Sequence, residues 1–177
     1  MATRSTIAIL ETTGVVKQIY THWDSYFDHN GRILKTYYKT PELVKELISN
    51  GDLSILAPNI NPTGEHSFDK PQEGVCVYYG RDRGEKNVRY RQFSDFDMFK
   101  SDYQSEEYDY VYVESQETWY YYVAGELKRF LPELDEPVKT PKDLIAENPG
   151  IKQMYTDVLN GDMSYNDFCK LIETLMK

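Results

Sequence analysis

The sequence contains few of the residues that would reveal its chemistry directly. Of its 177 residues only two are cysteine and three are histidine. Cys76 and Cys169 lie among apolar neighbours and belong to no CxxC or Cys/His cluster, which predicts free, at least partly buried thiols. His22, His29 and His66 lack metal-ligand spacing, so the sequence indicates neither a metal site nor a cofactor.

Long apolar runs and an excess of basic charge are also missing. No stretch approaches the roughly 20 apolar residues of a membrane-spanning helix, and residues 1–10 lack the apolar run of a signal peptide. We therefore expect a cytosolic protein without a membrane span. The net charge of −9 leaves no basic footprint for direct nucleic-acid binding.

Catalytic and nucleotide-binding signatures are absent as well. The chain has no GxxxxGK[ST], GxGxxG, GxSxG or HExxH pattern and no EF-hand loop. The sequence therefore establishes no enzymatic activity, and it favours a binding role over catalysis.

The segments that carry structural signals predict an α+β domain whose mainly antiparallel sheet is built from hairpins. Six β-branched or alternating runs are candidate strands: 5–10, 15–21, 74–79, 88–93, 108–113 and 119–123. Turn residues join the first two runs, and also the last two, as hairpins. A loop is predicted at 57–74 and a polar turn at 80–84.

Helices are expected between and after these strands. Thr40 as N-cap, Pro41 in the first turn and Gly51 after the last turn delimit one amphipathic helix. Three further segments have helical spacing: 32–39, 126–134 and 140–177. The last of these predicts a helical subdomain, 140–177, packed on a core domain, 1–139.

Polar clusters at strand ends are the first candidates for a site, because function concentrates on loops that a rigid sheet holds. The cluster His22-Trp23-Asp24 follows the strand at 15–21. On an extended backbone His22 and Asp24 point to one side, where the carboxylate can fix the imidazole tautomer for general-base catalysis or ligand binding. The alternative is a plug at the end of the sheet, with Trp23 in the core.

The second polar cluster spans residues 79–85. Its glycines allow close approach of a ligand, while Arg81 and Arg83 can each hold a phosphate and Tyr78 or Tyr79 can stack on a base. The alternative is a turn in which Asp82 and Arg83 form local salt bridges. Together the two clusters predict one ligand site, with His22 and Asp24 also as catalytic candidates: His22, Trp23, Asp24, Tyr79, Arg81, Asp82 and Arg83.

Negative charge is concentrated in residues 94–117. This segment holds eight acidic residues against Lys100 alone and contributes −7 of the net charge of −9. One interpretation is a solvated surface; the other is a patch that imitates nucleic-acid phosphates and meets a basic partner. The candidate partner-binding residues are Asp95, Asp97, Asp102, Glu106, Glu107 and Asp109.

Five short motifs, taken in order, resemble small uncharacterised proteins of tailed bacteriophages and prophages. The motifs lie at residues 19–24, 29–31, 51–54, 66–68 and 79–85, behind the opening Met-Ala-Thr-Arg-Ser. The resemblance covers residues 1–123 and departs at Ser25 and Phe27, where the family usually has glycine and proline. It implies an accessory protein in the cytoplasm of an infected bacterial host, of a kind that often counters host defence.

The leading hypothesis is a non-enzymatic counter-defence protein that sequesters a phosphate-bearing, nucleotide-like ligand between the two polar clusters. One alternative is an acidic inhibitor of a host CRISPR or restriction nuclease complex that acts by local nucleic-acid mimicry. The other is a small hydrolase that uses His22 with Asp24. The ligand, the host target and homo-oligomerisation are left open by the sequence.

Overall fold

The computed structural model describes residues 2–123 and 125–129, which form an α+β fold of eight strands and four α-helices. The elements are β1 Ser5–Leu10, β2 Val16–Thr21, α1 Arg32–Tyr37, α2 Pro41–Ser49, β3 Leu53–Ile55, β4 Val77–Tyr78, α3 Tyr79–Arg83, β5 Arg91–Phe93, α4 Phe96–Asp102, β6 Tyr108–Val113, β7 Thr118–Val123 and β8 Glu126–Arg129. The predicted subdomain at 140–177, the boundary at 139 and Cys169 lie outside the described residues.

The strands form one mixed sheet in the order β4-β3-β2-β1-β6-β7-β8, with β5 paired to β2. Both predicted hairpins are confirmed: β1 pairs antiparallel with β2, and β6 with β7. The sheet is not built from hairpins alone, however, because β1 runs parallel to β6, and β2 runs parallel to β3. The parallel pair places β1 in the interior of the sheet, which accounts for its almost continuous burial.

Helix α2 follows the capping rules that predict it. The Thr40 side chain accepts the backbone N–H of Leu43, Pro41 opens the first turn, and Gly51 follows the helix at φ +86°. The buried face of the helix packs in the main core through Val44, Leu47 and Ile48.

Several predicted elements need correction. Residues 126–129 form strand β8 and not the start of a helix, because they pair with β7 after a turn in which Gly125 adopts φ +85°. The predicted turn at 80–84 is the short helix α3, which ends at Gly84 with φ +76°. The sequence pattern indicates neither β3 nor α4, and the strands predicted at 74–79 and 88–93 are shorter in the structure.

The sheet carries a hydrophobic core on each face, because side chains alternate along its strands. On one face Ile7 and Ile19 pack in a cluster with residues of α1 and α2. On the other, Ala8 and Val16 pack with Phe99 of α4.

Cys76 is a buried free thiol, as predicted. None of the helices in residues 2–123 has the length and apolar run of a membrane-spanning segment.

The second face of the sheet changes from apolar to polar along β2. Val16, Gln18 and Tyr20 project to this same side because they alternate along the strand. Strand β5 pairs with β2 at residues 16–18 and β3 pairs at Thr21, so the edge of β2 is open at Tyr20. The Asp52 carboxylate fills this gap and accepts the backbone N–H of Tyr20 at 2.8 Å.

Candidate ligand-binding cleft

The His22-Trp23-Asp24 cluster does lie at the end of β2, where the rings of His22 and Trp23 meet edge-on at 4.8 Å but the Asp24 side chain turns away. Asp24 has φ 54°, which turns the chain and leaves its carboxylate exposed. The partner of His22 is Tyr20, whose Oη lies 2.7 Å from His22 Nδ1, and no hydrogen bond joins His22 to Asp24 in the described residues. Asp24 therefore does not orient the imidazole, and Trp23, 43% exposed, is not in the core.

Arg81 is engaged by hydrogen bonds within the protein. Its Nε and Nη2 donate to the Asp82 carboxylate at 2.6 and 2.9 Å, while Nη1 and Nη2 donate to the carbonyls of Ile60 and Cys76, both at 2.7 Å. These four bonds use all but one of the guanidinium N–H groups. Arg81 thus links the loop at 57–76 to α3 by hydrogen bonds, and its guanidinium has no pair of free N–H groups for a ligand.

Asp82 also forms a buried pair with His66, a residue that the sequence-based site does not include. Their side chains are 4% and 1% exposed, and Asp82 Oδ2 lies 3.2 Å from His66 Nε2. His66 Nδ1 accepts the backbone N–H of Gln72, so the proton resides on Nε2, which donates to Asp82. Burial opposes ionisation of Asp82, but hydrogen bonds from Arg81 and from the backbone N–H of Tyr78 outweigh it and lower its pKa.

The remaining members of the predicted site divide between two places. Arg83 lies over the Phe68 ring at 4.6 Å and pairs with Glu85 at 3.1 Å. The Tyr79 ring also meets Phe68, with centroids 6.3 Å apart, and its backbone N–H donates to the Asp52 carbonyl at 3.0 Å. Burial raises the pKa of the Tyr20 phenol, and Tyr79 adds to the rise. The structure therefore brings His22 to Tyr20 and places Arg81, Asp82 and Arg83 in a network that Tyr79 adjoins through Phe68. Their ligand-binding role stays a prediction.

A cleft opens on the polar part of the second sheet face, beside Tyr20. The cavity measures about 180 Å³. Its lining is mostly polar and includes Tyr20, Asp52, Asn87, Arg89, Arg91 and Gln104. We refer to it as the Tyr20 cleft. Sequence reasoning missed its two arginines, although the alternation in Arg89-Tyr90-Arg91 is the signal that two cations share one side of an extended segment.

The Tyr20 cleft continues into a wider groove. A second cavity of about 1080 Å³ is also lined by Asn87 and Arg89, and it reaches the end of α2 and Arg81 of the second polar cluster. Small-molecule sites in proteins commonly occupy roughly 300–1,000 Å³. A ligand too large for the Tyr20 cleft would therefore extend past Asn87 and Arg89 into this groove.

The two arginines of the Tyr20 cleft differ in their hydrogen-bond and ion-pair partners. Arg91 Nη2 donates to the carbonyl and carboxylate of Asp102 at 3.0 and 3.3 Å. Arg89 has no hydrogen-bond or ion-pair partner among the described residues. Burial raises the pKa of Asp52, while the hydrogen bond from the Tyr20 backbone lowers it. The cleft thus offers one unpaired guanidinium beside a desolvated carboxyl group.

One backbone hydrogen bond fixes the segment that carries Arg89. The N–H of Asp52 donates to the carbonyl of Val88 at 2.9 Å, directly before Arg89. A Cβ on Gly51 would lie only 2.1 Å from that same oxygen. Gln18, the cross-strand partner of Arg91, holds Gln104 in the lining: its Nε2 donates to the Gln104 carbonyl at 2.9 Å, and its Oε1 accepts the Gln104 N–H at 3.2 Å.

The acidic residues at 94–102 have structural roles. Asp95 caps α4 by accepting a backbone N–H at 2.8 Å. Asp97 pairs with Lys100 at 2.5 Å, and Asp102 pairs with Arg91 at 3.3 Å. Their charges are thus partly compensated within the same segment.

The acidic residues at 106–109 differ among themselves. Asp109 is only 6% exposed, and its carboxylate accepts hydrogen bonds from Thr6 Oγ1, Ser105 Oγ and the backbone N–H of Glu106. The side chains of Glu106 and Glu107 have no hydrogen-bond or ion-pair partner among the described residues. A contact between this region and a basic protein stays a prediction.

Arginine, phenol, amide and carboxyl groups supply the chemistry of the Tyr20 cleft. Within residues 2–123 and 125–129, no group of three or more His, Cys, Asp or Glu side chains is placed to hold a metal ion. Comparison of the chain with protein-family models, with curated proteins and with solved structures found no match.

Proposed function

We propose that the protein binds a phosphate-bearing, nucleotide-like small molecule in the Tyr20 cleft and releases it unchanged. The observation that carries the proposal is the pair Arg89 and Arg91 on one wall of the same cavity, with Arg89 unpaired among the described residues. Guanidinium groups match phosphate oxygens in charge and geometry, and their hydrogen bonds to an anion are among the strongest in proteins.

The other groups of the cleft suit the remainder of a nucleotide. Asp52 has a carboxylate oxygen beyond the one that holds the Tyr20 backbone, and this oxygen can accept a sugar hydroxyl. Gln104 and Asn87 carry amides that can read the edge of a base. The Tyr20 ring is half-buried and offers a surface for stacking.

The resemblance to bacteriophage accessory proteins supplies a biological setting. In that setting the ligand is a nucleotide signal of host defence, which the protein sequesters in the cytoplasm of the infected bacterium. This part of the proposal rests on the motifs within residues 1–123 and is independent of the cleft geometry.

Removal of the Arg89 guanidinium tests the proposal directly. Charge-assisted hydrogen bonds contribute roughly 1.5–3 kcal/mol each, so Arg89→Ala is expected to weaken nucleotide binding about 10- to 100-fold. Isothermal titration calorimetry with mononucleotides, cyclic dinucleotides and pyrophosphate measures the change. Arg32→Ala is the matched control, because it removes the same charge at α1, on the other face of the sheet. The proposal fails if none of these ligands binds the parent protein or if Arg89→Ala binds them equally well.

The hydrolase alternative is tested by analysing the ligand after binding. His22 is held through Nδ1 by Tyr20, and its Nε2 has no hydrogen-bond partner among the described residues. For a binding protein, chromatography should recover the bound nucleotide intact, and His22→Asn should change affinity less than about tenfold. Breakdown of the nucleotide by the parent, abolished in His22→Asn, would show that the hydrolase hypothesis is the correct one.

A further inference from the structure

The wide cavity beside the Tyr20 cleft carries an excess of positive charge, although the chain as a whole is acidic. This cavity, which we call the groove, lies between the end of α2, helix α3 and residues 85–90. Its described lining contains three cationic side chains and one acidic side chain: Arg81, Lys86, Arg89 and Glu85. Glu85 is paired with Arg83 at 3.1 Å, so its charge is compensated. Cations collected on a concave surface attract anions, which suits the groove to an anionic part of a ligand.

The cations of the groove have donors that the protein does not already use. Lys86 and Arg89 have no hydrogen-bond or ion-pair partner among the described residues. Arg81 is bound to Asp82 and to two carbonyls, but only one of the two Nη1 hydrogens is engaged, in the bond to Ile60. An anion that enters the groove can therefore gain hydrogen bonds without breaking any within the described part of the protein.

Asn87 and Arg89 line both the groove and the Tyr20 cleft, so they mark the boundary between the two. Asn87 adopts φ +63°, a left-handed conformation that is uncommon outside glycine, and its side-chain amide has no hydrogen-bond partner among the described residues. Residues in such conformations are concentrated at sites that hold ligands. The boundary thus offers a guanidinium and an amide to a ligand that lies across it.

The two cavities differ in the size of the group that each can accept. The Tyr20 cleft, at about 180 Å³, is smaller than the roughly 300–1,000 Å³ of common ligand sites, whereas the groove measures about 1080 Å³. Only part of a nucleotide-like ligand fits the cleft. The groove also has an aromatic ring for the remainder, because Tyr90 lines it and is 36% exposed. Exposed aromatic rings bind nucleic-acid bases by stacking.

We infer that the ligand is a dinucleotide, with the phosphate that joins its two nucleosides at Arg89, one nucleoside in the Tyr20 cleft and the other in the groove against Tyr90. The inference rests on the proposed function and names the ligand class of that site. A mononucleotide held in the cleft would leave Lys86 and Tyr90 without a contact. A long nucleic-acid strand would carry further phosphates over an acidic protein of net charge −9, which repels them.

The test is calorimetric titration of the full-length protein with linear and cyclic dinucleotides of each base, with the matching mononucleotides and with longer single strands. At least one dinucleotide is expected to bind about tenfold more tightly than its mononucleotide, because a second base is stacked. A longer strand should bind no more tightly than the dinucleotide. If mononucleotides bind as tightly as dinucleotides, the inference fails and the proposed function stands, whereas both fail if no phosphate ligand binds. Affinity that rises with strand length would overturn the inference in favour of nucleic-acid binding.

Tyr90→Ala tests the place of the second nucleoside. This variant is expected to bind the dinucleotide about tenfold more weakly and the mononucleotide as the parent does, because only the groove loses a stacking ring. Tyr90→Phe keeps the ring, which lies 5.7 Å from Lys17 Nζ, and should bind both ligands as the parent does. Tyr37→Ala is the matched control, since Tyr37 is 49% exposed and ends α1 on the other face of the sheet. Equal dinucleotide affinity of Tyr90→Ala and Tyr37→Ala would overturn the inference.

Discussion

Arg81→Ala is expected to lower the free energy of unfolding by about 3–5 kcal/mol, the usual cost of leaving a buried charge without its partner. The Asp82 side chain is 4% exposed and would lose both guanidinium hydrogen bonds. The carbonyls of Ile60 and Cys76 would lose their donors as well. Urea denaturation followed by circular dichroism at neutral pH measures the loss.

Arg83→Ala is the matched control for Arg81→Ala. Arg83 lies in the same helix, but its side chain is 50% exposed and its ion pair with Glu85 lies at the surface. Such pairs contribute at most about 1 kcal/mol. Equal destabilisation by the two substitutions would show that Arg81 does not serve as an internal cross-link.

The destabilisation by Arg81→Ala should also depend on pH. The pKa of Asp82 is lowered in the folded protein, so the stabilisation from its ionised form is present above the unfolded-state pKa of about 3.9 and is lost as pH falls through the folded-state pKa. The difference in unfolding free energy between parent and Arg81→Ala should therefore narrow in acid below about pH 4. If the difference in unfolding free energy between parent and Arg81→Ala stays constant from pH 7 to acid, the ion pair between Arg81 and Asp82 is contradicted.

Gly51→Ala is expected to destabilise the fold by about 3–5 kcal/mol and to abolish ligand binding in the Tyr20 cleft. Gly51 has φ +86°, and the new Cβ would lie 2.1 Å from the carbonyl oxygen of Val88. Because that carbonyl also accepts the Asp52 N–H, the clash would push away the segment that carries Arg89. Chemical denaturation and nucleotide titration measure the two effects separately.

Gly14→Ala provides the control for Gly51→Ala. Gly14 has a similar φ of +89°, but no atom of the described residues lies within 4 Å of the position that a Cβ would take there. It should show the backbone strain alone, roughly 1–3 kcal/mol, with nucleotide binding intact. If Gly51→Ala binds nucleotide as well as Gly14→Ala does, the contact with Val88 does not position the cleft.

The parts of the fold that the sequence predicts depend on neighbours close in the chain. The hairpin of β1 and β2 follows from two β-branched runs around a turn, and α2 follows from Thr40 and Gly51. The parallel pairing of β1 with β6 joins segments far apart in sequence, and no local pattern specifies it. Strand β8 illustrates the same point, since its pairing with β7 overrides a helical pattern.

The candidate site was accessible to sequence reasoning only in part. His22 and Tyr79 could be placed at strand ends, because the strands preceding them are readable from their composition. The role of Arg81 could not be predicted, because two of its acceptors are the backbone carbonyls of Ile60 and Cys76. Every residue has a backbone carbonyl, so the sequence does not indicate which ones accept these bonds. Arg89 and Arg91 were recognisable as a same-side pair, but only the structure shows that the edge of β2 leaves a cavity beside them.

The central position of β1 has a consequence for synthesis on the ribosome. Thr6 and its partner Asp109 are 103 residues apart, so one edge of the nascent hairpin stays unpaired while the intervening chain is made. At roughly 5–20 residues per second, that interval lasts on the order of 5–20 s. An open edge of β-branched residues is prone to intermolecular pairing. Translation products that stop before residue 108 should therefore aggregate or recruit chaperones, whereas chains that include β6 close the edge.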